Sequence, residues 1–293
     1  FAGGWVPELM PESRGRGLKW TESKSPPAWE TNLLAVFLLK DGTTENITAK
    51  VRSGAAPGEG RYLTAAVQRA GNSPWNADRC YVDLLYPGVT EKFLEVTLEA
   101  YRKHFGNEFG RRIPGSFTDE PELTPAGGWP WTEDLPAQFQ KRWGYDLIES
   151  LASLKAEVGD WKRVRNNYFQ TLLDLFIERW GKPYFDYCAK HNLAFTGHYW
   201  EHDWPVCRGV PDNMAMSAWQ QRPGIGVVRP RLGDRSGLIA ESRGEADLAG
   251  ASSAWRRAGG GPAAGDPQGP DTRRRSEVGN GFGCRQCRAL QVD

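Results

Sequence analysis

The chain has 293 residues and a formal net charge of +1, so bulk electrostatics points to neither nucleic acid nor an anionic membrane surface as a partner. No stretch approaches the roughly 18 apolar residues of a membrane span, and no charged-then-apolar start marks a signal peptide. The length allows one large domain or two smaller ones, and a single α/β barrel would use most of it.

Phe1-Ala-Gly-Gly-Trp5 reads as the middle of a loop, which leads us to expect a chain cut short at its N-terminus. Thirteen tryptophans are enough to build a core or to line a sugar cleft, because a flat apolar ring packs against the C–H face of a pyranose. The five cysteines, Cys80, Cys188, Cys207, Cys284 and Cys287, are odd in number and lack framework spacing, which argues against a disulfide scaffold. Cys284-Arg-Gln-Cys287 has the CxxC form but neither a second pair nor a flanking βαβ pattern.

Residues 1–30, rich in Gly, Pro, Ser and Trp, read as a loop and irregular segment. Strands are expected at Asn32 to Leu39, Asn46 to Val51 and Tyr62 to Val67. They are separated by turn signals such as Asp41-Gly42, so residues 32–70 form a small antiparallel excursion. A strand at Cys80 to Leu85 should follow, closed by Tyr86-Pro-Gly88. Thr90 then reads as the N-cap of a helix to about Phe105, with Phe93, Leu94, Thr97, Leu98 and Tyr101 on one face. Gly106 ends it.

Ile113 to Phe117 is the next strand, and the order strand, helix, strand calls for a parallel crossover. This strand, opened by Pro114 and closed by Pro121, runs into Asp119, Glu120 and Glu122 at the carboxyl end where α/β sheets and barrels place their chemistry. The Pro- and Trp-rich stretch 124–137 is a long loop, in which Trp129 and Trp131 either stack on sugar or pack the loop down. Helices are expected near 135–154, broken at Gly144, and over 160–190, with a kink or restart at Pro183. Leu193 to Gly197 is a buried strand that delivers His198-Tyr-Trp-Glu-His-Asp-Trp-Pro205, and Asn213 to Ala218 reads as one more strand.

From Gly226 to Asp293 there is no Lys, Tyr or His, and Trp255 and Phe282 are the only aromatics. Arg, Gly and Ala dominate without any period, so this segment cannot bury enough apolar surface to offset its ordering entropy. GC-rich DNA read out of frame encodes the same mixture, and a frameshifted, disordered tail is the expectation. The rival is a native Arg/Gly-rich tail that binds RNA.

His198-x-x-Glu201-His202 has the HxxEH form of inverted zinc peptidases. That chemistry needs a helix to bring both imidazoles to one ion, whereas here a buried strand and Gly197 precede the motif and Asp-Trp-Pro follows it. On an extended segment His198, Trp200 and His202 point one way, and Glu201 the other. The preferred reading is a second strand end that carries acid, imidazole and aromatic groups into the cleft of Glu120. Two carboxylates on different strand ends, in an aromatic cleft, suit glycoside hydrolysis, where one protonates the leaving oxygen and the other activates water or attacks the sugar. No Gly-rich phosphate loop and no GxSxG elbow is present.

Several blocks carry a resemblance: Tyr81 to Val96, Ile113-Pro-Gly-Ser-Phe-Thr-Asp-Glu-Pro121, Lys141 to Leu147, Phe195 to His202 and Pro211 to Met216. Over about residues 1–224 the chain resembles the large α-L-rhamnosidase-type glycoside hydrolases (family 106). The resemblance implies a (β/α)8 TIM-type barrel and an inverting mechanism with two glutamates, Glu120 and, as its partner, either Glu201 or a glutamate further along. Substrate contacts are expected from Asp119, Trp129, Trp131, His198, Trp200 and His202, and the resemblance implies a calcium ion near the site, with Glu122 as its candidate ligand. The family pattern stops after Ile225. The expectation is therefore an incomplete catalytic barrel over 1–225, inactive as it stands, with a tail over 226–293 and a carbohydrate substrate. The alternatives are a non-catalytic carbohydrate-binding or structural remnant and, last, the HxxEH zinc peptidase.

Overall fold

A computed structural model describes residues 2–40, 42–200 and 206–224. Contacts divide the chain into two compact units, Phe1–Phe93 with Leu123–Leu175 and Leu94–Glu122 with Phe176–Asp293. The first opens with α1 (Ala2–Leu9), β1 (Arg16–Ser23), β2 (Leu33–Lys40), β3 (Thr43–Asn46), α2 (Thr48–Ser53) and β4 (Arg61–Arg69). The two-residue strands β5 (Asn72–Ser73) and β6 (Arg79–Cys80) pair with each other, and α3 (Val89–Val96) follows. Next come α4 (Leu98–Phe105) and β7 (Gly115–Asp119) of the second unit, then β8 (Trp129–Pro130), α5 (Leu135–Trp143), α6 (Ala152–Lys155) and α7 (Trp161–Phe176). A π-helical turn (Ile177–Gly181), α8 (Lys182–Lys190), β9 (Ala194–His198), α9 (Asn213–Ser217) and β10 (Arg222–Pro223) complete the described residues. The fold is mixed helix and strand. No described helix is long and apolar enough to cross a membrane.

The first unit is built on an antiparallel sheet in the order β3-β2-β4-β1-β8. Val36, Leu38, Ile47, Val51 and Tyr62 form a core beside it, with Trp29 and Leu33 packed against them. The expected excursion over 32–70 is thus present but larger than the sequence suggests. β1 lies in the segment read as a loop, and β8 in the Trp-rich stretch. Arg16 to Ser23 has no clean apolar alternation. Its strand state comes from the full ladder to β4, Arg16 opposite Arg69 through Ser23 opposite Tyr62, which satisfies its backbone groups.

Other expectations also change, for local reasons. Residues 46–51 are not a strand, because the Asn46 side chain accepts the Thr48 N–H at 3.1 Å and starts α2. Residues 80–85 are strand only at β6. The Asp83 carboxylate takes the Leu85 N–H at 3.0 Å, the Tyr86 N–H bonds the Asp83 carbonyl, and the chain turns. Thr90 lies inside α3 rather than capping it, and the helix expected to reach Phe105 breaks at Thr97. Gly106 ends α4 as expected, although in right-handed geometry and as the start of a 3-10 turn. Residues 213–217 are helix, not strand, because Asp212 accepts the Ala215 N–H at 3.0 Å as an N-cap. The break at Gly144 is as expected, and Pro183, which lacks an N–H, sits just past the π-helical turn in the first turn of α8. Cys80, Cys188 and Cys207 are buried thiols, while Cys284 and Cys287 lie outside the described residues, as does the whole tail from 226.

The turn at Asp83 also buries a charge. Arg16 Nη1 lies 3.3 Å from one Asp83 oxygen and Arg16 Nη2 lies 3.2 Å from Glu133, with Arg16 and Asp83 both buried. Burial outweighs these partners and pushes the Asp83 pKa up to about 6 from 3.8. Folding therefore tightens the hold on this proton. The stability it contributes is full below the unfolded value and is lost as pH rises through about 6, a change of about 3 kcal/mol. Urea titrations at stepped pH should show that loss between about pH 4 and 6, and Asp83→Asn should flatten it. Parallel stability curves for the two proteins would contradict this electrostatic account.

Candidate active site

The second unit holds a parallel sheet in the order β10-β9-β7. The crossover that sequence order suggested, from residues 80–85 to β7, is not formed among the described residues. Instead β7 pairs with β9, from Gly115 opposite Ala194 to Asp119 opposite His198. Side chains alternate across this sheet. On one face Ser116 and Phe195 meet α8: the Ser116 and Tyr184 hydroxyls are 2.7 Å apart, and the Phe195 and Tyr184 rings lie 4.3 Å apart. On the other face stand Phe117, Asp119 and His198.

Register brings these three together at the carboxyl ends of the strands. His198 Nε2 lies 3.1 Å from Asp119 Oδ1, and the Phe117 ring meets the imidazole edge-on at 5.9 Å. Phe117 is 62% exposed, an unusual state for a large apolar ring in mid-strand. Glu120 follows in left-handed geometry at φ 49°, held there as its N–H donates to the His198 carbonyl at 3.1 Å. A non-glycine residue in that region costs roughly 1–3 kcal/mol, and such strain gathers at functional sites. The turn re-aims the chain at the acid, so Asp119 and Glu120 leave the strand end in different directions.

The two strands approach more closely than side chains allow. Gly197 has φ 133°, and a Cβ built on it would lie 2.1 Å from the Thr118 carbonyl oxygen. Its own carbonyl accepts the Gly224 N–H at 2.9 Å, which ties the end of β10 to the same place. Beyond the strands, Glu122 and Trp200 converge on Gly209. A Cβ there would be 3.3 Å from the Trp200 ring and 3.8 Å from a Glu122 oxygen. Tyr199 turns the other way into the core, its ring 5.7 Å from Phe176, and burial pushes its phenol pKa up.

Asp119, Glu120, Glu122, His198 and Trp200 therefore belong to one region of the second unit. Glu201 and His202 lie outside the described residues. The two tryptophans of the 124–137 stretch belong to the first unit, Trp131 buried and Trp129 half-buried. Trp131 is 5% exposed, with no ring face open to a sugar. Trp129 lies against Tyr168 and Phe169, with ring centroids 5.8 and 5.7 Å away. Sequence reasoning missed Phe117, whose exposure follows only from the face it occupies, and Gly209. Gly197 carried a signal, a glycine inside an apolar strand.

Among the described residues no group of three or more His, Cys, Asp or Glu side chains suited to a metal gathers, and the calcium expected near Glu122 is not tested by them. The described part of the HxxEH stretch, 198–200, is strand end and irregular chain rather than the helix that a zinc pair needs.

The arrangement can do acid–base chemistry: two adjacent carboxylates, one imidazole paired to the first of them, and an exposed aromatic ring, all at the carboxyl edge of a parallel sheet. No family model matches the sequence, and no curated protein matches it. Among solved structures the chain is similar to a rhamnosidase from Novosphingobium sp. PP1Y, with 23% identity and a TM-score of 0.44, over 64% of this chain and 19% of that one.

Proposed function

We propose that the chain is part of a glycoside hydrolase of the α-L-rhamnosidase type, acting by inversion with Glu120 as one of its two carboxylates. The observation that carries this reading is the Asp119–His198 pair at 3.1 Å, at matched carboxyl ends of parallel strands, with Glu120 turned out of the strand directly after it. Three further features support it. β7, β9 and β10 are parallel neighbours in chain order, the pattern of successive strands in a (β/α)8 barrel. Helix α8 covers one face, which leaves Phe117, Asp119 and His198 on the face that a barrel would turn inward. The blocks Ile113 to Pro121 and Phe195 to His202, which resemble that family, are the two segments that meet here.

In this reading one glutamate protonates the glycosidic oxygen while the other, Glu201, activates a water on the opposite face of the sugar. Asp119 and His198 orient each other and hold the substrate's hydroxyls. The exposed ring of Phe117 gives the sugar's C–H face an apolar contact.

The change of composition after residue 225 is taken as a frameshift, so the test uses the protein read in the restored frame. It should release the aglycone from p-nitrophenyl α-L-rhamnoside, and the 293-residue chain as given should not. Failure of the restored protein on a panel of aryl glycosides, rhamnoside included, would overturn the reading. Glycoside hydrolysis by the 293-residue chain itself would overturn the frameshift part of it.

A further inference from the structure

A second polar feature of the same unit lies at the other ends of its helices. A cavity of about 370 Å³ opens where α4 and α8 both finish. Its walls carry Arg102, Lys103 and His104 from the end of α4, and Lys190, His191 and Asn192 from the end of α8. Helix C-termini favour cations, and basic residues there are often only a response to the helix dipole. The charge balance exceeds that response.

Glu99 is the acid that faces this cluster, and it is fully engaged. Its oxygens take the Arg102 guanidinium at 2.8 to 3.0 Å and the Tyr187 hydroxyl at 2.7 Å, and His191 Nε2 lies 3.9 Å away. These bonds hold the Glu99 carboxyl at about 2, so it stays ionised and cancels Arg102. Glu108, on the turn after α4, pairs with Arg112 instead. Among the described residues neither Lys103 nor Lys190 has a carboxylate partner. Two helix termini supply about half a negative charge each, which offsets one lysine and leaves the other in surplus, beside two imidazoles that can donate N–H bonds. His191 reports that field: burial, Arg102 and Lys190 hold it below its usual pKa, and Glu99 only partly opposes them. Its ring lies tilted against Tyr187 at the cavity wall, centroids 4.5 Å apart.

We propose that this cavity binds a small oxyanion, a phosphate or sulfate group, through Lys103 and Lys190 with the side chains of His104, His191 and Asn192 as hydrogen-bond donors. Lysines act as point charges on such a group, and the imidazoles and the amide supply directed N–H bonds. The cavity has room for the oxyanion alone or for one carried on a sugar. This inference does not rest on glycoside hydrolysis.

Calorimetric titration of the 293-residue chain at fixed ionic strength tests it, with sodium phosphate and sodium sulfate as ligands and sodium chloride as control. The expected result is saturable binding of phosphate or sulfate above the chloride control, weakened about tenfold or more in Lys103→Gln/Lys190→Gln. The imidazole proton signals of His191 should shift on titration in the parent. These lysines are exposed, so circular dichroism of the double variant should match the parent's. If it does not, each single variant should show a part of the loss. Glucose 6-phosphate binding more tightly than phosphate, with glucose not binding, would identify a sugar-borne anion, while equal affinities would identify the free ion. No binding above the chloride control, or binding unchanged in the lysine variants, would overturn the proposal.

Discussion

Glu120→Gln, in the protein with its reading frame restored, is expected to lower turnover of an α-L-rhamnoside by about 10²–10⁴-fold while KM changes little. The amide keeps the shape and hydrogen-bonding reach of the acid but can neither give nor take the proton in the transition state. The Glu120 N–H donates to the His198 carbonyl, a backbone bond that the substitution keeps, so the strand end should stay in place. The leaving group then distinguishes its role. If Glu120 is the proton donor, the loss should be steep for an alkyl rhamnoside and shallow for the p-nitrophenyl substrate, whose phenolate leaves without help. If it is the base, the two losses should match. Turnover within a few-fold of the parent on both substrates would remove Glu120 from the chemistry.

The second large effect is on stability. Gly197→Ala should destabilise the protein by about 3 kcal/mol or more, read as a lowered urea midpoint. Two causes add: a φ of 133° that alanine avoids, and a methyl group that would lie 2.1 Å from the Thr118 carbonyl. The strands would have to part where Asp119 and His198 meet, so the site should be lost with the fold. Gly144→Ala separates the causes, because Gly144 has φ 78° at the end of α5 with nothing within 4 Å of an added Cβ. It should cost only about 1 kcal/mol. Equal midpoints for the two variants would mean that the close approach of β7 and β9 is not what requires glycine.

The parts of the fold that the sequence made legible are those where one signal acts alone. Leu33 to Lys40 and Ala194 to His198 are apolar runs, and they are strands. Gly144 and Pro183 interrupt helices where backbone chemistry requires it. The misses share a cause, which is a short polar side chain that bonds its neighbouring backbone. Asn46, Asp83 and Asp212 each accept an N–H two or three residues on, and each turns an apolar-looking run into helix or turn. β1 was missed for the opposite reason: Arg16 to Ser23 has weak local preference and becomes strand through its ladder to β4. At the site, the strand that ends at Asp119 was legible, because Pro114 opens it and Pro121 follows its end. The pairing of Asp119 with His198 was not, since it depends on a strand register that pairs residues 79 apart, which no local pattern encodes. The tryptophans misled in part. Trp131 is a ring of the kind that binds sugar, and only its burial shows that it packs the first unit.

The central claim is that the carboxyl edge of β7 and β9 holds two glutamates across a glycosidic bond. A crystal structure of the restored protein with a bound rhamnoside tests it most directly, through one distance. The carboxyl groups of Glu120 and Glu201 should lie about 6.5–9.5 Å apart on opposite faces of the sugar, leaving room for the attacking water. A separation beyond about 15 Å, or a sugar bound away from the Asp119–His198 pair, would contradict the account, and one near 5 Å would replace inversion with retention.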